Sequence, residues 1–152
     1  MLAIGTEAPA FATQDGHGHG VTLAALLEDG PFVLYFYPAD FTPVCTRQAC
    51  MMRDVHADLV DAGVRVFGVS GQGGASHEAF RERHRLPFQL LCDEDGALQR
   101  AYGATGILGG TQRISYFITG EGQIGDHEHA TLRVGRHANF VQRVLTRMCQ
   151  SS

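Results

Sequence analysis

The amino-acid sequence predicts one three-layer α/β domain, a mixed central β-sheet flanked by helices. Three observations carry that expectation. Apolar runs of strand length alternate with helical stretches along most of the chain. One run, Phe32-Val33-Leu34-Tyr35-Phe36-Tyr37, is continuously apolar and aromatic, as in a strand buried on both faces. The chain then closes with two strands around Gly120-Glu121-Gly122 and a final helix, which makes the sheet mixed.

In chain order, Phe11 to Thr13 and Val21 to Leu23 flank the turn-rich Gln14-Asp15-Gly16-His17-Gly18-His19-Gly20, the pattern of a hairpin or loop. A short helix, Leu23 to Leu27, ends at Asp29-Gly30. The central strand Phe32 to Tyr37 is stopped by Pro38. Thr42-Pro43-Val44-Cys45 has the form of a helix start, with Thr at N-cap, Pro at N1 and Cys at N3. That helix runs to about Asp61 and stops at Ala62-Gly63. Val64 to Ser70 is the next strand, Ala75 to Arg85 a helix, Phe88 to Cys92 a strand and Ala97 to Tyr102 a short helix. Ile114 to Thr119 and Gln123 to His127 form the hairpin. His137 to Cys149 closes the chain with Phe140, Val141, Val144, Leu145 and Met148 on its apolar face. No internal repeat or low-complexity linker divides residues 1–152, so a single domain is expected.

Composition narrows the function classes. Hydrophobic residues are 44% and charged residues 18% of the 152, the balance of a globular chain. A net charge of −4 gives no field that would attract nucleic acid or an anionic membrane. The apolar run from Phe32 to Tyr37 is far too short to span a bilayer. The start, MLAIGTEAPAF, has neither a basic segment nor a long apolar one, so a cytoplasmic protein is the expectation. Cysteines stand at 45, 50, 92 and 149, a spacing that is no disulfide framework.

Cys45 is the candidate for chemistry. It falls in the first turn of a helix at the end of a central strand, where unpaired N–H groups and the positive end of the helix dipole favour a thiolate. The bland alternative is a buried cysteine packed under the strand end. Thr42 could cap the helix and turn its hydroxyl toward a sulfur three residues on. Pro38 ends the strand and would shield a pocket with a residue that brings no N–H donor.

Pro38, Thr42 and Cys45 in the spacing Pro-x-x-x-Thr-x-x-Cys resemble the active-site signature of peroxiredoxins. The longer string FYPADFTPVCTRQAC is similar to the Q-type, or bacterioferritin-comigratory-protein, branch, where a second cysteine follows five residues after the first. GTEAPAF, VFGVSGQGGASHEAF, the stretch from Leu86 to Gly103 and QRISYFIT extend the likeness over most of the chain. The resemblance implies a thioredoxin-like fold. It also implies Cys45 as peroxidatic cysteine, Thr42 as its hydroxyl partner, Pro38 as shield and Cys50 as resolving cysteine. Arg113, just before the strand Ile114 to Thr119, becomes the cation beside the sulfur. The implied activity is reduction of hydrogen peroxide or alkyl hydroperoxides without metal or organic cofactor. A thioredoxin-like reductant would recycle the protein, and a monomer is expected. Three positions depart from the family's usual residues: Val44 stands for Gly, Gln48 for Glu and Ala39 for Lys. Gln48 keeps an acceptor for the arginine but loses the charge.

Cys92 sits in an apolar strand and is expected in the core, and Cys149 has no assigned role. His17 and His19, His127 and His129, or His56 with the cysteines invite a metal reading. None has Cys-x₂-Cys or His-x₃-His spacing, and solvated loop histidines are expected. A thioredoxin-type disulfide oxidoreductase is disfavoured because Cys-x₄-Cys replaces Cys-x-x-Cys; a non-enzymatic redox sensor is the other rival. A Cys45–Cys50 disulfide would carry a conformational cost. Five residues of α-helix rise about 7.5 Å and put the Cα atoms about 8.6 Å apart, beyond the ~7 Å that a disulfide bridges. The helix would have to open.

Overall fold

A computed structural model describes residues 1–150. The hairpin β1 (Ala12–Asp15) and β2 (Gly20–Thr22) is closed by the Asp15 carboxylate, which accepts the backbone N–H groups of His17 at 2.9 Å and His19 at 3.0 Å. Helix α1 (Leu23–Glu28) starts on the Thr22 side chain, which accepts from the N–H of Ala25. β3 (Phe32–Phe36) is buried at every residue, as its unbroken apolar run requires. Then follow α2 (Pro43–Asp61), β4 (Arg65–Ser70), α3 (Gly74–His84), β5 (Gln89–Cys92) and α4 (Ala97–Ala101). β6 (Ile114–Ile118), β7 (Ile124–His129) and α5 (Val134–Gln150) complete the chain.

The seven strands form one mixed sheet in the order β2-β1-β5-β4-β3-β6-β7. β3 runs parallel to β4, and β4 to β5, while β6 lies antiparallel to β3. Alternate residues of β3 feed two cores. Val33 and Tyr35 pack with Cys45, Ala49, Met52 and Leu59 of α2, Phe80 of α3 and Phe140, Val141 and Val144 of α5. Phe32, Leu34 and Phe36 pack with Leu23 and Leu26 of α1 and Leu98 of α4. Two helical layers with a sheet between them are the three expected layers. No helix among the described residues is long and apolar enough to cross a membrane.

Several element ends differ from expectation by a residue or more, and two of the differences have a clear cause. β7 continues to His129 because it pairs along the whole of β6, Ile114 lying opposite His129. α5 starts at Val134, taking in a first turn that carries no apolar stripe, and His137 is fully buried.

Candidate active site

The sheet register builds the site. β6 enters the sheet antiparallel to β3, so Ile114, its first residue, pairs with Phe36, the last residue of β3. Arg113 therefore stands beside the loop that leaves β3 and becomes α2. Its guanidinium donates from Nη2 to Cys45 Sγ at 3.1 Å across 68 residues of sequence. Nη1 donates to Gln48 Oε1 at 2.6 Å and Nε to the Thr131 carbonyl at 2.9 Å. Arg113 is only 3% exposed, so this planar fork is held from three directions in a dry site.

Cys45 lies in the first turn of α2 on the face it shares with Gln48, Ala49 and Met52, and is 1% exposed. The helix begins at Pro43, whose missing N–H costs nothing there. Sulfur thus faces a buried cation and a helix N-terminus together. Gln48 supplies the acceptor that orients Arg113, but its own Nε2 is buried without a hydrogen-bond partner among the described residues. An unpaired buried donor costs about 1–3 kcal/mol.

Thr42 and Pro38 sit differently from the expectation. Thr42 precedes the helix, yet its side chain makes no capping bond. Its hydroxyl donates instead to the Ala39 carbonyl at 3.0 Å. The cause is local: Phe41 has φ +66°, so the chain turns through Asp40-Phe41 and brings the Ala39 carbonyl back to residue 42. Pro38 is exposed, and it lines a cleft of about 330 Å³ with Gln72, Asp93, Asp95, Gln99 and Thr111. Cys50 is half-buried on α2, and neither it nor Cys45 is in a disulfide. Cys92 is half-buried rather than in the core, and burial pushes its thiol pKa up.

Two groups around the site were not singled out from sequence. Asp40 is buried against His77 of α3, with Nδ1 to Oδ2 at 2.8 Å. The pattern Ser76-His77-x-x-Phe80, which places three side chains on one turn of helix, was the available signal. His137 Nε2 lies 3.0 Å from the Ala130 carbonyl, and its Nδ1 lies 2.9 Å from Ser115 Oγ. A carbonyl only accepts, so Nε2 carries the proton and Nδ1 accepts from serine in the neutral ring. His137 thereby pins the segment whose next carbonyl, that of Thr131, holds Arg113.

Comparison with known proteins follows the same line. Residues 4–127 match the family model described as AhpC/TSA family. Peroxiredoxin Q, chloroplastic, from Oryza sativa subsp. japonica is 43% identical over 107 residues, 70% of this chain and 49% of that protein. The chain spans about half the length of the first curated relatives it matches. The crystal structure of peroxidoxin BcpB from Mycobacterium tuberculosis superposes with a TM-score of 0.89 at 28% identity, covering 97% of this chain and 98% of that one. A structure of the Xanthomonas campestris bacterioferritin comigratory protein, studied for its alkyl peroxide reduction activity, gives a TM-score of 0.85 at 28% identity over 95% and 98% of the two chains. With the sheet order, the arginine on the helix-start cysteine and these likenesses together, the chain belongs to the AhpC/TSA family, and its resemblance is to the peroxiredoxin Q proteins within it.

Proposed function

We propose that the chain is a thiol peroxidase reducing hydrogen peroxide and alkyl hydroperoxides. The observation that carries this reading is the 3.1 Å bond from Arg113 Nη2 to Cys45 Sγ at the first turn of α2. The Cys45 thiolate attacks one oxygen of the peroxide. A sulfur–oxygen bond forms as the O–O bond breaks, and the leaving oxygen takes up a proton to become water or an alcohol. Negative charge moves from sulfur onto oxygen during that step. A guanidinium already fixed by Gln48 and Thr131 can hold that charge without reorganising. Thr42, at the mouth of the site, would take part by a rotation that frees its hydroxyl from Ala39, and Pro38 would border the entrance.

The sulfenic acid left on Cys45 is condensed by Cys50, which loses its proton as water departs and a disulfide forms. A thioredoxin-like dithiol restores both thiols by exchange. A monomeric, cytoplasmic protein completes the proposal, and the net charge of −4 supports the reading that it binds neither nucleic acid nor an anionic membrane. The curated plant relatives are named chloroplastic, a statement about those proteins.

The test is peroxide consumption by metal-free protein supplied with a thiol reductant, alongside Cys45→Ser. Rapid turnover is expected of the wild type. Its loss is expected in a folded Cys45→Ser, since serine offers no anion at neutral pH. Near-wild-type consumption by Cys45→Ser would end the proposal.

A further inference from the structure

The loop between β3 and Cys45 is fastened to α3 through Asp40, a carboxylate that no step above employs. Its side chain and that of His77 are 1% and 0% exposed. Oδ2 accepts from His77 Nδ1 and from Ser76 Oγ, each at 2.8 Å, and Oδ1 accepts from the Tyr37 hydroxyl at 2.6 Å. The Asp40 N–H donates to Gln72 Oε1 at 2.9 Å. His77 Nε2 faces the Leu91 carbonyl at 3.0 Å and must carry a proton there. Burial works to raise the Asp40 carboxyl, but the hydrogen bonds from His77 and Tyr37 outweigh it and hold the carboxyl below its usual range. Asp40 and His77 are thus a fully buried hydrogen-bonded pair with every side-chain polar atom engaged. Such a pair is expensive to break because either partner alone would be a buried polar group left unsatisfied.

The next residue pulls the other way. Phe41 has φ +66°, a left-handed conformation that is strained for a bulky side chain, and it is half exposed. Its ring rests edge-on against Phe80, 5.2 Å between centroids, on the same turns of α3 as Ser76 and His77. Beyond the segment, Arg53 Nη1 donates to the His84 carbonyl at 2.8 Å, fastening α2 to the end of the same helix. Residues 41–52, which include both Cys45 and Cys50, are thus slung between two attachments to α3.

We propose that the Asp40–His77 pair is a latch holding this segment in the peroxide-reactive form, and that its strength decides the fate of oxidised Cys45. Asp40, His77 and Ser76 are positioning residues. Two reactions compete for the sulfenic acid. Condensation with the Cys50 thiol gives the disulfide and water, and it needs the helix open. Reaction with a second peroxide gives the sulfinic acid and water or alcohol, and it needs the site closed. A weaker latch releases the strained Phe41 and favours the open form.

The inference rests on Cys50 being the resolving thiol. The experiment exposes reduced full-length wild type, Asp40→Asn and Ser76→Ala to rising hydrogen peroxide. Peptide mass spectrometry then measures Cys45 sulfinic acid against the Cys45–Cys50 disulfide. Asp40→Asn keeps the shape and discards the charge, and the peroxide concentration giving half sulfinic acid should rise about tenfold. Its rate of first oxidation should fall several-fold. Ser76→Ala removes one donor and leaves the Asp40–His77 hydrogen bond; a rise of about threefold is expected, and this variant decides the matter if Asp40→Asn does not fold. A merely structural role would slow the first oxidation without moving the partition. A sulfinic threshold that is unchanged or lower in the folded variants overturns the latch while leaving the resolving role of Cys50 intact. A wild-type digest without the Cys45–Cys50 peptide overturns both.

Discussion

One equivalent of peroxide, followed by disulfide formation, should unwind the start of α2 and leave its end intact. The extent can be worked from the packing. Cys45, Gln48, Ala49 and Met52 are each 0–1% exposed and must leave their places if residues 44–52 open. Returning the Met52 side chain to water costs about 1.5–3 kcal/mol. Breaking the Arg113–sulfur bond costs about as much, being charge-assisted. The freed backbone recovers about 1–2 kcal/mol of entropy per residue, which offsets much of the lost helix hydrogen bonding and packing. A net opening cost of about 3 kcal/mol in the reduced protein is therefore expected, which corresponds to roughly hundredfold protection of these amides against exchange. Past Met52 the helix is fixed by Arg53 on His84 and by Leu59 in the core. Hydrogen exchange should accordingly quicken about a hundredfold for amides 45–52 in the disulfide form and stay unchanged for 54–61. Equal protection of 45–52 in both forms would refute the reasoning and point to a resolving thiol elsewhere.

Other perturbations have equally definite outcomes. Cys50→Ser should react once with peroxide but form no internal disulfide, so that mass spectrometry finds sulfenic or sulfinic acid on Cys45; a disulfide to Cys92 or Cys149 would move the resolving role. Arg113→Lys keeps the charge but cannot reach sulfur, Gln48 and Thr131 in one plane, and the rate constant with peroxide should fall about 10- to 100-fold. Burial holds the His137 ring below its ordinary value of 6.5, so it folds neutral. Its contribution to stability is then complete above about pH 6.5 and is lost as pH falls toward the lower folded value. In urea titrations the stability gap between wild type and His137→Gln should narrow over that descent; a gap that widens would contradict the neutral assignment.

How much of this was legible follows from which contacts are local. The run Phe32 to Tyr37 and the sequence Thr-Pro-x-Cys specify a buried strand and a helix start through short-range chemistry, and both stand where they were expected. Arg113 could be placed only through resemblance, because its approach to Cys45 depends on β6 pairing antiparallel with β3, a register no local pattern announces. The Thr42 hydroxyl escaped sequence reasoning for a different reason. Its direction follows from the sign of one backbone angle at Phe41, and an aromatic residue gives no warning of a left-handed turn. Asp40 and His77 are ordinary polar residues until α3 lies across the loop.

Gln48 shows where the two levels meet. From sequence, glutamine could accept from an arginine without attracting it as a carboxylate would. The structure shows that acceptor in use at 2.6 Å, with the amide's other end buried and unpaired. A carboxylate there would leave no orphan donor and would bind the guanidinium more tightly, but it would also set a second negative charge beside the sulfur. The amide orients Arg113 without adding that charge, leaving more of the guanidinium's field for the sulfur. Gln48→Glu should therefore hold the arginine more firmly yet slow the first oxidation several-fold, and a variant that reacts faster than wild type would show that orientation, not charge, limits the step.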